Sequence, residues 1–179
     1  MKTLILLRHA KSSWDDQGAR DFDRRLNAKG ERAARTMGRH MREAGLAWDH
    51  AIASPAARVV ETLAAASDGY GAAIEPHWDR RAYLASVPTL LDLIHAAPDD
   101  AAALLVSGHN PGLEELVLTL VPDRADDTLR HAVEEKFPTC SLAVLSCGEQ
   151  WADVAPGRCR LAAFVRPRDL DPNLGPDAD

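Results

Sequence analysis

The sequence has few cysteines, and their spacing argues against a metal site or a disulfide framework. Its 179 residues include three cysteines, Cys140, Cys147 and Cys159. They show neither C-x-x-C spacing nor an even count, the usual marks of zinc sites and disulfide-stabilised domains. We therefore expect three unpaired thiols in a reducing compartment.

Long hydrophobic runs are also lacking, and none approaches the roughly 20 residues needed to span a bilayer. The opening segment, MKTLILLRHAKS, combines a basic residue with an apolar stretch, as a signal peptide does. Its apolar part is short, Arg8 interrupts it, and no small-residue cleavage site follows. We interpret it as a buried first strand, and we predict a cytoplasmic protein without a membrane partner.

The chain has no excess of positive charge. Its net charge of −6 argues against nonspecific nucleic-acid binding. Hydrophobic residues make up 46% and charged residues 27%, which is typical of a globular protein. The length fits one domain. We place that domain at residues 1–166, followed by a flexible tail at 167–179 that is rich in Pro and Asp.

Apolar, strand-length runs alternate with helical segments along the chain. The predicted strands cover 3–8, 50–55, 72–78, 102–109, 140–147 and 159–167. The predicted helices cover 26–45, 54–66, 86–98 and 110–122, with Asn27, Ser54 and Asn110 as N-caps. Strands separated by helices predict an α/β protein, a three-layer α/β/α sandwich with a mostly parallel central sheet.

Basic side chains follow three of the predicted strands. The first strand ends in Arg8-His9, the second leads into a helix carrying Arg58, and the fourth ends in His109. Ligands of open parallel sheets bind beyond the carboxyl ends of the strands. We therefore expect two arginines and two histidines to meet at one edge of the sheet.

Such a cluster is suited to phosphoryl chemistry. Guanidinium groups contact phosphoryl oxygens in pairs, and two predicted helices begin at the same edge with free N–H groups. Glu61, three residues after Arg58, is placed to hold that guanidinium. Nearby cations lower the pKa of an imidazole, and a neutral imidazole is a competent nucleophile. A second, protonated histidine would stabilise the transferring group.

The other histidines lack such partners, and we interpret them as ordinary surface or hydrogen-bonded residues. They are His40, His50, His77, His95 and His131.

Taken together, these motifs resemble those of the histidine phosphatase superfamily, which includes the phosphoglycerate mutases. LLRHAKS resembles its R-H-G or R-H-A motif, ASPAARVVET its S-P-x-x-R-x-x-E-T motif, and VSGHNPG its G-H motif. RDFDRRLNAKG resembles the family's entry into its first helix, with Arg25 where proline is usual. Within the superfamily, the chain resembles the SixA-like phosphohistidine phosphatase group in its length and in the segments HNPGLEEL, KFPT and FVRPRDL.

The resemblance implies a phosphoglycerate mutase-like fold and a role for each matched residue. His9 would be the nucleophile that carries a covalent phosphoryl group, and Arg8, Arg58 and His109 would complete the phosphate pocket. Ser12 lies where related members place a hydroxyl near the phosphate. The resemblance implies no cofactor and no metal.

Departures from the family pattern bear on the substrate. Asp15 stands where the mutases have Asn, and Asn110 stands where the acid phosphatases place a general acid. Asp79 is the nearest remaining candidate for an acid or substrate-binding residue. A weak general acid suits a phosphoramidate, because the leaving nitrogen is readily protonated.

We therefore expect a phosphatase that removes phosphate from phosphohistidine proteins, and its partner would be a phosphorylated protein, such as a histidine phosphotransfer domain, or a small phosphate ester. The alternatives are a small-molecule phosphomonoesterase, a phosphomutase and a noncatalytic phosphate-binding module. Five arginines are expected to fringe an open site: Arg20, Arg24, Arg25, Arg80 and Arg81.

Overall fold

Residues 1–176 are described by a computed structural model, in which helices cover both faces of a six-stranded sheet. The strands are β1 (Lys2–Arg8), β2 (His50–Ala53), β3 (His77–Trp78), β4 (Ala103–Gly108), β5 (Leu142–Cys147) and β6 (Arg160–Val165). The helices are α1 (Ala28–Glu43), α2 (Ala57–Tyr70), α3 (Val87–His95), α4 (Gly112–Leu120), α5 (Thr128–Glu135) and α6 (Pro167–Leu170). Among these residues, no helix has the length and apolar character required to cross a bilayer.

The sheet separates two hydrophobic cores, because successive side chains of a strand point to opposite faces. In β1, Leu4 and Leu6 pack into the core under α3, α4 and α5. Ile5 and Leu7 pack into the core under α1 and α2. This confirms the predicted α/β/α layering.

The strand order, β3-β2-β4-β1-β5-β6, brings the ends of the parallel strands together. β1, β2, β3 and β4 run parallel, and β5 runs antiparallel to both β1 and β6. Arg8 pairs with Gly108, and Ala53 pairs with Ser107. The residues that follow these pairs therefore leave the sheet at one edge.

Helix starts agree with the sequence in part. Asn27 caps α1, and its side chain accepts a hydrogen bond from Gly30 N. Ser54 was expected to cap α2, but the N-cap is Ala56, and the Ser54 hydroxyl is engaged elsewhere. Helix α5 was not predicted, because its sequence, TLRHAVEE, has few apolar residues to reveal its period.

The segment after β6 differs from the predicted flexible tail. Residues 167–170 form α6, and a 3₁₀ helix follows at Pro172–Leu174. Leu170 and Leu174 pack against the core under α1 and α2, and Lys29 Nζ donates to the Gly175 carbonyl. The prediction is wrong for 167–176 because two leucines and a helix start anchor a stretch rich in Pro and Asp. Residues 177–179 lie outside the described residues.

The cysteines also differ from the prediction of three unpaired thiols. Cys147, at the end of β5, and Cys159, just before β6, form a disulfide with their Cα atoms 4.4 Å apart. The antiparallel pairing of β5 with β6 brings them together, which the spacing in the sequence does not reveal. Cys140 is free and buried, and burial raises its pKa to about 12.

Helices α1 and α2 approach closely where Gly38 faces Ala66. A Cβ atom at position 38 would lie 2.0 Å from the Ala66 carbonyl oxygen, far inside van der Waals contact. The backbone of α2 would have to move to admit it, so this position requires glycine.

We therefore expect Gly38→Ala to lower the free energy of unfolding by about 2 kcal/mol, because overpacking displaces well-packed backbone. Urea unfolding followed by circular dichroism measures the change. Gly148→Ala is the matched control, since a Cβ atom there would meet nothing within 4 Å. Equal stability of the two variants would contradict the close approach of α1 and α2.

Candidate functional site

The end of β1 is fixed by hydrogen bonds from both neighbouring strands. His9 N donates to the Gly108 carbonyl at 3.0 Å, and Arg8 N donates to the Ser141 carbonyl at 3.1 Å. Cys140 N donates to the His9 carbonyl at 2.9 Å. The Arg8-His9 pair is thus held rigidly where β1 leaves the sheet.

A cavity of about 590 Å³ opens at this edge, and Arg8, His9 and Arg58 line it. Ser12 and Asn110 contribute to the same lining. His109 lies directly behind, with its ring centroid 5.3 Å from that of His9. The structure therefore brings together the four residues expected from the strand ends, while their roles in catalysis stay a prediction.

His9 is a buried, neutral imidazole with a defined tautomer. Only 7% of the residue is exposed. Its Nδ1 lies 2.7 Å from the Ala10 carbonyl, so Nδ1 carries the proton and Nε2 keeps its lone pair. Burial, with smaller contributions from the charges of Arg8 and Arg58, lowers the pKa of His9 to about 3.

His109 is neutral as well, whereas the sequence left open a protonated second histidine. Arg58 Nη2 donates to His109 Nδ1 at 3.3 Å, and His109 Nε2 lies 2.7 Å from Ser54 Oγ. The proton therefore sits on Nε2, which donates to the serine. Burial and the Arg58 charge lower the pKa of His109 to about 4.

Arg8 has an unused donor inside the protein. Its Nη1 donates to the Phe137 carbonyl at 2.9 Å, and Asn110 Nδ2 donates to the same oxygen at 3.0 Å. Its Nε is buried without a hydrogen-bond partner among residues 1–176. An orphaned buried donor costs free energy, so a ligand oxygen that reached this N–H would bind favourably.

Arg58 is held by Asp21, a residue that the sequence had not singled out. Arg58 Nη1 donates to the Asp21 carbonyl at 2.6 Å and Nη2 to its carboxylate at 3.0 Å. The Tyr83 hydroxyl donates to the same carboxylate. These contacts, with that of Tyr83 the largest, lower the pKa of Asp21 to about 2. Asp21 lies 37 residues before Arg58, so helix spacing gives no sign of the pair.

Glu61 has a different partner from the expected one. Its carboxylate accepts from Arg25 Nε and Nη2 at 3.0 and 2.9 Å, and from Leu26 N at 2.9 Å. Glu61 therefore fixes the start of α1, and it does not hold the guanidinium group of Arg58. The prediction was wrong because three residues along a helix permit contact but do not require it. Arg25, the departure from the family pattern, supplies the new contact.

Of the two weaker candidates, the structure brings Ser12 to the cavity but not Asp79. The Ser12 hydroxyl is buried and accepts a hydrogen bond from Arg24 Nη2. Asp79 is absent from the described lining. Its carboxylate accepts from Arg81 Nη2 at 2.7 Å, and this contact lowers its pKa. Both facts work against Asp79 as a proton donor. Asp15 is exposed and likewise outside that lining.

The expected fringe of five arginines is largely wrong, because most of them are paired elsewhere. Arg20 binds Asp23 and Arg25 binds Glu61, and Arg80 lies over the Phe22 ring. Among residues 1–176, Arg24 is the only one of the five that lines the cavity, and its guanidinium group also stacks on the exposed Trp14 ring.

The arrangement is able to supply a nucleophile and a pocket for an anion. A neutral imidazole with a free Nε2 lies beside two guanidinium groups, one of which has an unused N–H. Such a site can bind a tetrahedral oxyanion and receive its central atom. Within residues 1–176, no group of three or more His, Cys, Asp or Glu side chains is placed to hold a metal ion.

The lowered pKa values make folding stability depend on pH. Below about pH 6.5 the unfolded chain protonates these histidines, while His9 stays neutral down to about 3 and His109 to about 4. The free energy of unfolding therefore falls as the pH falls from 6.5 toward 4, by up to about 1.4 kcal/mol per pH unit for each histidine.

Urea titrations at pH 7, 6 and 5 measure this slope. We expect His9→Asn to show a shallower loss of stability than the wild type, and a His40→Asn control on α1 to keep the wild-type slope. Parallel slopes for the wild type and His9→Asn would show that His9 is not held neutral by the fold.

Comparison with known proteins identifies the family. Residues 4–81 match the model of the histidine phosphatase superfamily (branch 1). An uncharacterized protein of Mycobacterium tuberculosis strain H37Rv is 36% identical over 163 residues, 90% of this chain and all of the relative.

Two solved structures are similar along nearly their whole length. A candidate phosphohistidine phosphatase SixA from Nakamurella multipartitia is 31% identical with a TM-score of 0.81, covering 93% of this chain and 96% of that one. Another from Agrobacterium tumefaciens is 32% identical with a TM-score of 0.77, covering 93% and 98%. The chain therefore belongs to the histidine phosphatase superfamily, and it is a phosphatase with a phosphoglycerate mutase-like fold.

Proposed function

We propose that this phosphatase works through a phosphoryl group held covalently on His9, and that its preferred substrates are phosphohistidine proteins in the cytoplasm. One observation carries the proposal: His9 Nδ1 donates to the Ala10 carbonyl, which leaves Nε2 as the nucleophilic atom in a cavity lined by Arg8 and Arg58. The names of the two similar SixA structures support the same substrate class.

The proposed reaction has two steps. His9 Nε2 forms a bond to phosphorus, the bond from phosphorus to the substrate nitrogen breaks, and that nitrogen takes a proton from water and leaves as a neutral imidazole. Water then attacks the phosphoryl group on His9, which releases inorganic phosphate and the free histidine. The positive charges of Arg8 and Arg58 stabilise the equatorial oxygens in both steps.

The lack of a carboxylic acid in the cavity favours a phosphoramidate over an ester. No Asp or Glu belongs to the described cavity lining, and Asp79 is bound to Arg81. An alkoxide leaving group requires a proton donor, whereas the nitrogen of a phosphohistidine accepts a proton from water readily. A histidine phosphotransfer domain would present such a group.

Labelling with a ³²P-phosphohistidine protein tests the intermediate. We expect a base quench to trap label on the wild-type protein that is stable in base and lost in acid. His9→Ala should carry no label, and His131→Ala, at an exposed position outside the described cavity lining, should label normally.

The fate of the label separates the alternatives. Rapid release of inorganic phosphate supports a phosphatase of this kind, and transfer to a sugar acid would indicate a mutase. Persistent label in His9→Ala, or faster turnover of small phosphate esters than of the phosphoprotein, would overturn the proposal.

Asp21 offers a second test, because it positions Arg58. We expect Asp21→Asn to lower kcat/KM about tenfold, since a hydrogen bond between charged groups is lost. The affinity for orthovanadate, a phosphate analogue, should fall by a similar factor while the melting temperature stays unchanged. A general loss of packing would instead lower the melting temperature.

Asp23→Asn is the matched control for Asp21→Asn. Both residues belong to a short 3₁₀ helix, Asp21–Asp23, but Asp23 pairs with the exposed Arg20. The Asp23→Asn change should therefore alter kcat/KM less than twofold. Equal effects of the two substitutions would show that Asp21 does not act through Arg58.

A further inference from the structure

The cavity extends well beyond the pocket formed by Arg8, His9 and Arg58. Its volume of about 590 Å³ exceeds that of a phosphoryl group several-fold, and its lining holds eight Lys or Arg residues and no Asp or Glu. The protein as a whole has a net charge of −6. The basic lining is therefore a local feature that opposes the overall charge.

Five of these basic residues form a second group, which we call the distal wall. It consists of Lys11, Lys29, Lys136, Arg166 and Arg168. The strand order explains its place. β6 is antiparallel to β5, which is antiparallel to β1, so β6 ends at the same edge as β1. Two strand spacings separate these ends, or roughly 10 Å.

The charges needed for a phosphoryl group are already supplied without the distal wall. Arg8 and Arg58 present two guanidinium groups to that group, although Asp21 offsets part of the charge of Arg58. Arg24, the remaining cation of the lining, donates to Ser12 and to Asp21, and it is thereby committed to the structure of the pocket.

Within the distal wall, Lys136 and Arg168 are available to a ligand. Arg166 is neutralised by Asp169, which accepts from its Nε and Nη2 at 3.1 and 2.9 Å. Among residues 1–176, by contrast, no hydrogen bond or ion pair engages the side chain of Lys136 or Arg168. Lys136 directly precedes Phe137, whose carbonyl accepts from Arg8, and Arg168 follows the end of β6 by three residues, so the two cations reach the cavity from different segments.

The cavity lining also includes the apolar side chains of Trp14, Ala33 and Leu174. Such side chains suit the carbon atoms that join two anionic groups of one ligand, and the cations suit the anionic groups themselves.

We propose that the distal wall is a second anion subsite, which binds a carboxylate or phosphate belonging to the same substrate that delivers its phosphoryl group to His9. The inference rests on the proposed function for the identity of the first subsite. The second anion is either an acidic side chain near the phosphohistidine of a protein or a second acidic group on a small molecule.

Binding measurements that require no turnover test the subsite. One ligand pair is hexane-1,6-diyl bisphosphonate and hexylphosphonate, which differ in the second anion. The other is a pair of peptides with a hydrolysis-resistant phosphotriazole analogue of phosphohistidine and either Glu or Gln three residues away. Calorimetry gives the ratio of the two dissociation constants within each pair. We expect the ligand with two anionic groups to bind about tenfold more tightly in at least one pair, and the pair that discriminates identifies the source of the second anion.

Substitutions then locate the preference. Lys136→Gln with Arg168→Gln should reduce the ratio about tenfold, since each exposed charge pair contributes a few-fold in affinity. Arg39→Gln, an exposed change on α1 ten residues from Lys29, should leave it unchanged. A ratio near one in both pairs, or a preference that survives the double substitution, would overturn the subsite.

The labelling experiment on His9 is independent of these ratios. A protein that forms no phosphohistidine but still prefers the ligand with two anionic groups would refute the proposed function and keep the subsite. A labelled protein without that preference would do the reverse.

Discussion

The backbone hydrogen bonds at the end of β1 are the constraint on which the rest of the site depends. β4 fixes His9 from one side, and the segment before β5 fixes Arg8 and His9 from the other. In parallel strands of matched register, the residues after β2 and β4 arrive at the same place. Ser54 and His109 consequently meet in a hydrogen bond, although they are 55 residues apart in the chain.

Charge balance explains why this cluster is chemically competent and not merely basic. Two histidines and two arginines share a small volume, and burial with mutual repulsion keeps both imidazoles neutral. Asp21 offsets part of the positive charge from outside the cavity lining and orients Arg58. His9 is thus unprotonated while the neighbouring guanidinium groups remain cationic, a combination that neither residue type provides alone.

Much of this could be predicted from the sequence, because the hydrophobic pattern and the strand-end rule both act locally. Apolar runs ending in Arg8-His9 and before His109 sufficed to predict the layered fold and the convergence of the cluster. The partners of Arg58 and Glu61 could not be predicted in this way, since they join segments 35 or more residues apart through loop geometry. The disulfide between Cys147 and Cys159 could not be predicted either, because it depends on the pairing of β5 with β6. The structure of the segment after β6 depends on two leucines that pack against the core under α1 and α2.

The strand ends and the segment after β6 differ in how freely their residues can be substituted. The reacting groups come from strand ends that are locked by register, where a one-residue change would disturb several side chains at once. By contrast, the segment from α6 to Gly175 also lines the cavity, through Arg168, Leu174 and Gly175. It is held to α1 by the hydrogen bond from Lys29 to the Gly175 carbonyl. Substitutions there can change the lining of the cavity residue by residue without disturbing the sheet.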